Sequence, residues 1–247
     1  MTIGKYLPAT NTAFKYSVDA EGDNGAMAAI LHPFANKYEE IHTYKGIVDN
    51  FYGKDRYNND IVLTGPCKSA LFEITRPDLD DVITNYYYAI IDSFLAFYYQ
   101  SNSKGSRQLF LSPEQMPILP LPLKENYSFE SKNWKKFYLS LIETGISLAP
   151  KYESSKIDVD ECKMKLFIHN ETSIEIEGET YKCNLINIEL LTKTGSFMTK
   201  AKTSISIKRW YAPEIKYYVR EEYNVIMDAL ISSKGSVNKV LKAVTYV

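Results

Sequence analysis

The stretch Cys162–Leu190, CKMKLFIHNETSIEIEGETYKCNLINIEL, decides the fold class of this chain. In its first part, apolar Met164, Leu166 and Ile168 alternate with polar residues. A period of two is typical of a strand that buries one face. Gly178 then separates this run from a second alternating run, so the sequence predicts two strands joined by a turn.

The same alternation continues toward the C-terminus and also occurs near the N-terminus. The later apolar positions are Ile186, Ile188, Leu190, Ile205, Ile207, Ile215, Tyr217, Val219, Tyr223 and Val225. Phe14, Tyr16 and Val18 alternate with polar residues in the same way. The region 157–247 is therefore predicted to be an antiparallel meander with one buried face.

Two apolar segments are less clear. The segment Ile83–Gln100, ITNYYYAIIDSFLAFYYQ, is dominated by aromatic and β-branched residues, which favours a hairpin that turns at Asp92 and Ser93. A helix that is apolar on almost every side is the alternative. Trp134–Leu148 has apolar residues at helical spacing, so it predicts a helix.

Four prolines lie close together in the middle of the chain: Pro113, Pro117, Pro120 and Pro122. Their spacing excludes a helix and a central strand, and it favours an extended crossing segment. A chain of 247 residues forms one domain or two closely packed ones. We expect a single β-rich domain over 1–247, with two packed halves (1–112 and 123–247) joined by 113–122 as the alternative.

Composition and motifs exclude several classes of protein. The chain has 29 Lys and Arg against 30 Asp and Glu, so its net charge of −1 gives no drive toward nucleic acid. No apolar run reaches the length of a membrane-spanning helix. The sequence has no CxxC, P-loop, GxSxG or GxGxxG motif, and its three histidines have no ligand spacing. We therefore expect no metal, no cofactor and no nucleic-acid partner.

The three cysteines, Cys67, Cys162 and Cys183, leave a disulfide open. Cys162 and Cys183 fall on neighbouring predicted strands, which can bring two Cα atoms within bridging distance. We expect them to stay unpaired, because Asn184 and Asn187 obscure which face of its strand Cys183 occupies.

Five segments together resemble one protein family. They are KYLPATNTAFKYSV (5–18), PILPLPLKENYSF (117–129), IEIEGETYKCNLINIEL (174–190), RWYAPEIKYYVREEY (209–223) and KVLKAVTYV (239–247). The family is the DUF3108-like group of secreted or lipid-anchored bacterial envelope domains of unknown function. The resemblance implies a curved antiparallel sheet or a half-open barrel. We therefore predict a mainly β fold, a curved sheet, sandwich or half-open barrel, with one or two short helices.

The 20 tyrosines suggest where such a fold would bind. If Ile83–Gln100 is a hairpin, its aromatic residues alternate between faces, so some point away from the core. We predict a surface for an apolar ligand or a protein partner at Tyr86, Tyr88, Phe97 and Tyr99. Structural roles are predicted for three further residues: Trp210, Tyr211 and Pro213.

Three functions are compatible with these observations. The first is a non-enzymatic envelope protein that binds an apolar small molecule or a protein partner. The second is an intracellular enzyme whose site is assembled from dispersed residues such as Cys67 and His32, and the third is an interaction subunit of a larger complex. The N-terminal stretch lacks a signal-peptide pattern, so we expect a periplasmic or outer-envelope location if a leader is removed from the protein and a cytoplasmic one otherwise.

Overall fold

The computed structural model describes residues 3–23, 36–54, 60–78, 83–91, 94–102, 108–111, 117–130, 137–142, 155–196, 199–229 and 232–246. The first seven strands are β1 (Ala13–Gly22), β2 (Lys37–Lys54), β3 (Asp60–Thr75), β4 (Ile83–Ile91), β5 (Phe94–Asn102), β6 (Gln108–Leu111) and β7 (Pro117–Pro120). The other seven are β8 (Ser128–Glu130), β9 (Phe137–Ile142), β10 (Ser155–Ile176), β11 (Glu179–Ser196), β12 (Thr199–Ala212), β13 (Tyr217–Asp228) and β14 (Ser233–Thr245). Within the described ranges, the only helix is a short 3₁₀ turn at Ile3–Tyr6.

All fourteen described strands belong to one antiparallel sheet. Its order is β11-β12-β13-β14-β1-β2-β3-β4-β5-β6-β9-β10-β8, with β7 paired to β5 beside this path. The sheet curves so far that β10, near one end of the order, also pairs with β11 at the other. The predicted mainly β fold with a curved antiparallel sheet is confirmed.

The hairpin of β10 and β11 forms as the alternation predicts. Met164, Leu166 and Ile168 are buried and pair with buried residues of β11. Ile176 pairs with Glu179, so the turn consists of Glu177 and Gly178, both with positive φ. Two positive φ values give a turn whose twist matches that of the flanking strands, and glycine adopts this conformation without strain.

Aromatic rings fill the core between the N-terminal strands and β13. Phe14 stacks on Tyr217 with ring centroids 4.4 Å apart, and Phe72 stacks on the same tyrosine at 4.8 Å. The hydroxyl of Tyr16 donates a hydrogen bond to the backbone carbonyl of Tyr218. The core therefore joins residues that are distant in sequence, and the polar tip of buried Tyr16 has a partner.

Of the predictions for the two less clear apolar segments, one is confirmed and one is wrong. The hairpin over Ile83–Gln100 is confirmed, because β4 and β5 pair as antiparallel strands. The helix over Trp134–Leu148 is wrong in its described part, where Phe137–Ile142 forms β9. β9 pairs with both β6 and β10, so tertiary pairing overrides the helical spacing of its side chains.

The proline-rich segment contributes one short strand. β7, Pro117–Pro120, pairs with β5 and with no second strand in the described ranges. A strand with only one neighbour tolerates proline. Proline lacks the backbone N–H that pairing with a second neighbour would need. The alternative division into halves at 113–122 stays a prediction.

The structure separates Cys162 from Cys183. Cys183 is fully buried and pairs with Thr172, whereas Cys162 pairs with Thr192. The ten-residue offset along β10 corresponds to roughly 30 Å, far beyond the ~7 Å that a disulfide spans between Cα atoms. The expectation of no pairing therefore agrees with the structure, but for a different reason: Cys183 faces the core, and it is the strand register that separates the two residues.

Candidate functional site

A row of charged side chains lies on the buried face of the sheet, where apolar residues are the rule. Arg209 on β12 pairs with Glu221 on β13, and Glu221 pairs with Lys239 on β14. Glu40 and His42 on β2 complete the row, and all five residues are buried. We call these five residues the buried ionic row. Each of the five residues occupies an inward-facing position, because side chains alternate between the two faces along a strand.

The first half of the row is a closed triangle of hydrogen bonds. Arg209 donates through Nε to Oε2 of Glu221 and through Nη2 to the hydroxyl of Tyr223, each at 2.7 Å. The Tyr223 hydroxyl donates to the same Glu221 oxygen, also at 2.7 Å. Burial alone would raise the pKa of Glu221, but the charges of Arg209 and Lys239 outweigh it and hold that pKa below its usual value. Glu221 is therefore an ionised partner of the guanidinium.

The second half of the row is centred on Glu40. Lys239 Nζ donates to Oε2 of Glu40 at 2.6 Å, and the Tyr38 hydroxyl donates to Oε1 at 3.1 Å. His42 Nε2 lies 3.0 Å from Glu40 Oε2, and His42 Nδ1 lies 3.1 Å from the Tyr217 hydroxyl. A carboxylate only accepts hydrogen bonds, so Nε2 of neutral His42 carries the proton and Nδ1 accepts from Tyr217.

The pKa values of Glu40 and His42 are both lowered. Burial would raise the pKa of Glu40, but Lys239 and the hydrogen bond from His42 hold it well below its usual range. Burial lowers the pKa of His42 from 6.5, with the charge of Lys239 acting in the same direction and Glu40 opposing. The folded state thus favours a neutral imidazole beside an ionised carboxylate.

This pairing predicts acid sensitivity. His42 takes up its proton less readily in the folded protein, so the unfolded chain gains protons first as the pH falls below 6.5. The free energy of unfolding should be steady above about pH 7.5 and fall below about pH 6.5 by up to about 1.4 kcal/mol per pH unit. Glu40 and Glu221 add a further loss at lower pH, as the pH falls through their lowered pKa values.

Urea unfolding between pH 7.5 and 5.5 measures this dependence. In H42Q the slope over that interval should disappear, whatever the absolute stability of the variant, because glutamine does not titrate. An unchanged slope in H42Q would show that another group causes the acid sensitivity.

The chemistry open to the row is limited by its hydrogen bonds. Both ring nitrogens of His42 have partners, so the imidazole has no free nitrogen to act on a substrate. Two cations and two carboxylates balance, which keeps the row neutral overall. The described part of the chain contains no group of three or more His, Cys, Asp and Glu side chains that could hold a metal ion. The arrangement suits binding or structural support better than acid–base catalysis.

Next to this row, several inward-facing apolar side chains are only half-buried. They are Tyr86 and Tyr88 on β4, Ile205 and Ile207 on β12, and Tyr223 on β13. Their orientation follows from register: Tyr86 pairs with Phe72, Tyr88 pairs with Ala70, and both partners are buried in the core. We call these five side chains together the inner groove.

The β4 side chains of the inner groove lie near the Tyr223 side chain on β13. The Tyr86 and Tyr88 rings stack with centroids 6.3 Å apart on the β4 side. Burial raises the pKa of Tyr88, while the charge of Arg209 acts against this shift and Tyr223 adds to it. Tyr88 is therefore close to Arg209 and Tyr223.

A small apolar cavity of about 20 Å³ adjoins the groove. Its lining includes Leu7, Phe72, Tyr88, Tyr217 and Tyr218. Such a volume admits one water-sized or methyl-sized group.

The structure places the predicted surface residues unevenly. Tyr86 and Tyr88 lie in the inner groove, whereas Tyr87 between them is fully buried on the opposite side of the strand. For Phe97 and Tyr99 only the backbone is described: they pair with Tyr88 and Tyr87 respectively.

The residues with predicted structural roles surround the turn between β12 and β13. Trp210 is half-buried, with the guanidinium of Arg220 5.2 Å from its ring. Tyr211 is buried, and its hydroxyl donates to the carbonyl of Tyr6 at 3.4 Å. Pro213 is exposed in the turn. Their predicted roles remain predictions.

The enzyme hypothesis names Cys67 and His32, and neither side chain is described. His32 lies outside the described residues, and only the backbone of Cys67 is described, within β3. Sequence reasoning missed the buried ionic row, which joins distant strands through hydrogen bonds and ion pairs.

No family model matches the chain. No curated protein matches it. Among solved structures, it is similar to the crystal structure of the hypothetical lipoprotein YmcC from Escherichia coli K12, with 8% identity over 98% of this chain and 90% of that chain. The TM-score is 0.40, so this likeness carries no argument about function.

The fold is that of a curved, β-rich protein with a charged row on its buried face. Membership of the DUF3108-like group remains a prediction, since no family model matches. None of the described helices has the length and apolar character needed to cross a bilayer.

Proposed function

We propose that this chain is a non-enzymatic binding protein of the cell envelope and that the inner groove takes an apolar ligand. The observation that carries the proposal is the incomplete burial of Tyr86, Tyr88, Ile205, Ile207 and Tyr223 on the inward face. Apolar side chains on a core-facing surface are normally enclosed, and small-molecule sites are concave and mostly apolar.

The position of the groove favours a small molecule over a protein partner. The strands that carry its side chains also carry other inward-facing residues, and those residues are buried in the core. A protein surface of usual interface size needs a broad exposed patch, whereas a narrow inward groove admits a chain or a ring.

The envelope location is part of the same proposal. It is supported by the resemblance of the segments 117–129 and 209–223 to secreted and lipid-anchored bacterial domains.

Titration with N-phenyl-1-naphthylamine, a neutral fluorophore that brightens in apolar surroundings, tests the groove. We expect saturable fluorescence enhancement with the wild-type protein. Tyr86→Ser should raise the Kd about tenfold, because it removes the aromatic face that the probe contacts. Tyr246→Ser is the matched control, since Tyr246 is 66% exposed outside the groove.

Thermal unfolding of both variants separates loss of binding from loss of fold. Tyr86→Ser should remain folded at the titration temperature while binding weakens. The absence of saturable enhancement with wild-type protein, or equal binding by the two variants, would refute the groove as a ligand site.

A further inference from the structure

A segment outside the sheet lines the small apolar cavity. Residues 3–11, which we call the strap, precede β1, and Tyr6 and Leu7 of the strap belong to the cavity lining. Leu7 and Pro8 are buried, Tyr6 is half-buried, and the rest of residues 4–11 is exposed. The strap therefore enters the interior of the protein only around Leu7 and Pro8.

The rest of the cavity lining is held almost entirely by the sheet. Except for Tyr6, Leu7 and Lys216, every lining residue lies on a strand, among them Phe72 on β3 and Tyr88 on β4. A strand residue moves away only if hydrogen bonds of its ladder break. Leu7 takes part in no strand pairing, so its side chain can leave the cavity while the sheet stays intact.

The strap is attached firmly at one end only. The Asn11 N–H donates to the Tyr44 carbonyl at 2.6 Å, and the Tyr44 N–H donates to the Thr12 carbonyl at 3.0 Å, which fixes this end to β2. Before Asn11, the strap receives one hydrogen bond from the sheet within the described ranges: the Tyr211 hydroxyl donates to the Tyr6 carbonyl at a long 3.4 Å. The packing of Leu7 therefore holds most of the strap in place.

The fixed end of the strap has the features of a hinge. Asn11 is exposed and has a φ of 68°, in the left-handed region that asparagine adopts more readily than most residues. Hinges are usually a few residues at the end of an element that absorb a change in backbone angles. A rotation at Asn11 would carry Leu7 out of the cavity.

The closed cavity is too small for the ligand class of the proposed function. Its volume of about 20 Å³ admits one water-sized or methyl-sized group, whereas an aromatic or aliphatic ligand is several times larger. Withdrawal of the Leu7 side chain would add the volume of that side chain to the cavity. Because Tyr88 belongs to both the cavity lining and the inner groove, the enlarged space would adjoin the groove.

We propose that the strap controls access to the ligand site: Leu7 occupies the space beside Tyr88 in the closed state, and an apolar ligand binds when the strap swings out about Asn11. This inference rests on the proposed function and adds how its site is regulated. The ligand competes with Leu7, so the observed Kd equals the Kd of the open state divided by the fraction of molecules that are open.

Leu7→Ala shortens the side chain that competes with the ligand. With N-phenyl-1-naphthylamine as the probe, Leu7→Ala should lower the Kd about tenfold if the wild-type strap is open about one-tenth of the time. Leu191→Ala is the matched control, because Leu191 is half-buried on β11 and does not line the cavity. An ordinary core role for Leu7 predicts a loss of thermal stability with an unchanged or higher Kd.

Tyr211→Phe releases the strap more gently. It keeps the ring and removes only the hydroxyl that bonds to the Tyr6 carbonyl, so the Kd should fall about twofold. Thermal unfolding of both variants establishes that they are folded at the titration temperature. If Leu7→Ala is unfolded there, Tyr211→Phe decides the question.

Tryptic cleavage after Lys5 reports on the strap itself. Lys5 is exposed, but its bond to Tyr6 lies inside the 3₁₀ turn Ile3–Tyr6, and a protease needs this turn to open. Saturating probe should accelerate this cleavage by the same factor by which Leu7→Ala lowers the Kd, because both factors equal the inverse of the open fraction. Cleavage after Lys234, which is exposed on β14, should not accelerate.

The outcomes for the two proposals are distinct. An unchanged or higher Kd in the folded variants, or cleavage after Lys5 that the probe does not accelerate, would overturn the strap and leave the ligand site in place. The absence of saturable probe binding in both the wild type and Leu7→Ala would overturn the proposed function, and the strap with it.

Discussion

Replacing Glu221 by glutamine is expected to lower the free energy of unfolding by about 3–5 kcal/mol, as for other buried ion pairs that lose one partner. Glu221 accepts from both Arg209 and Tyr223, and its side chain is almost completely buried. The amide would leave the guanidinium buried without a counter-charge. Urea unfolding at pH 7.5 measures the loss.

The neighbouring residue provides a matched control. Glu222 forms an ion pair with Arg220 at 2.6 Å, but both side chains are partly exposed. Glu222→Gln should therefore cost only about 0–1 kcal/mol. The double variant R209M/E221L should be more stable than E221Q, because it removes both charges. Equal losses in E221Q and E222Q would contradict the special role of the buried ionic row.

The second large effect is expected for Phe14→Ala, with a loss of about 3–5 kcal/mol. Phe14 is fully buried and stacks on Tyr217, whose hydroxyl in turn supports His42. Removing the ring leaves a cavity at the point where β1 and β13 meet in the core. Thermal or urea unfolding of the variant measures the change.

Phe167→Ala, on the outer face of the sheet, is the matched control for Phe14→Ala. Phe167 is 38% exposed, at the position that breaks the alternation of β10. Phe167→Ala should change stability by less than about 1 kcal/mol. Similar losses for the two variants would mean that the inward and outward faces are wrongly assigned.

Much of the fold could be predicted because one face of most strands is buried. Alternation at Met164, Leu166 and Ile168 was sufficient to predict β10, and the aromatic content of Ile83–Gln100 was sufficient for a hairpin. The same approach failed at Phe137–Ile142, where helical spacing competes with strand pairing. Spacing within a segment carries no information about the neighbours that the segment will meet.

The candidate site was less predictable for a related reason. Glu221 stands between Val219 and Tyr223 at the same parity, so alternation alone could have indicated a charge on the buried face. Its partners could not be predicted in this way. Lys239 and Glu40 are 199 residues apart and meet only because β14 and β2 both flank β1. Long-range register depends on the whole sheet.

The face of the tyrosines was also undetermined by sequence. Alternation separates Tyr86 and Tyr88 from Tyr87, but it does not say which set faces the core. The pairing with Phe72 and Ala70 decides this, and it places Tyr86 and Tyr88 in the inner groove. The predicted aromatic surface thus becomes an inward site.

The most direct test of the account is a crystal structure of the protein with N-phenyl-1-naphthylamine bound. We predict the probe between Tyr86 or Tyr88 on β4 and Ile207 on β12, within the inner groove. A probe bound only on the outer face, for example against Phe167 or Tyr246, would contradict the inner groove as the ligand site.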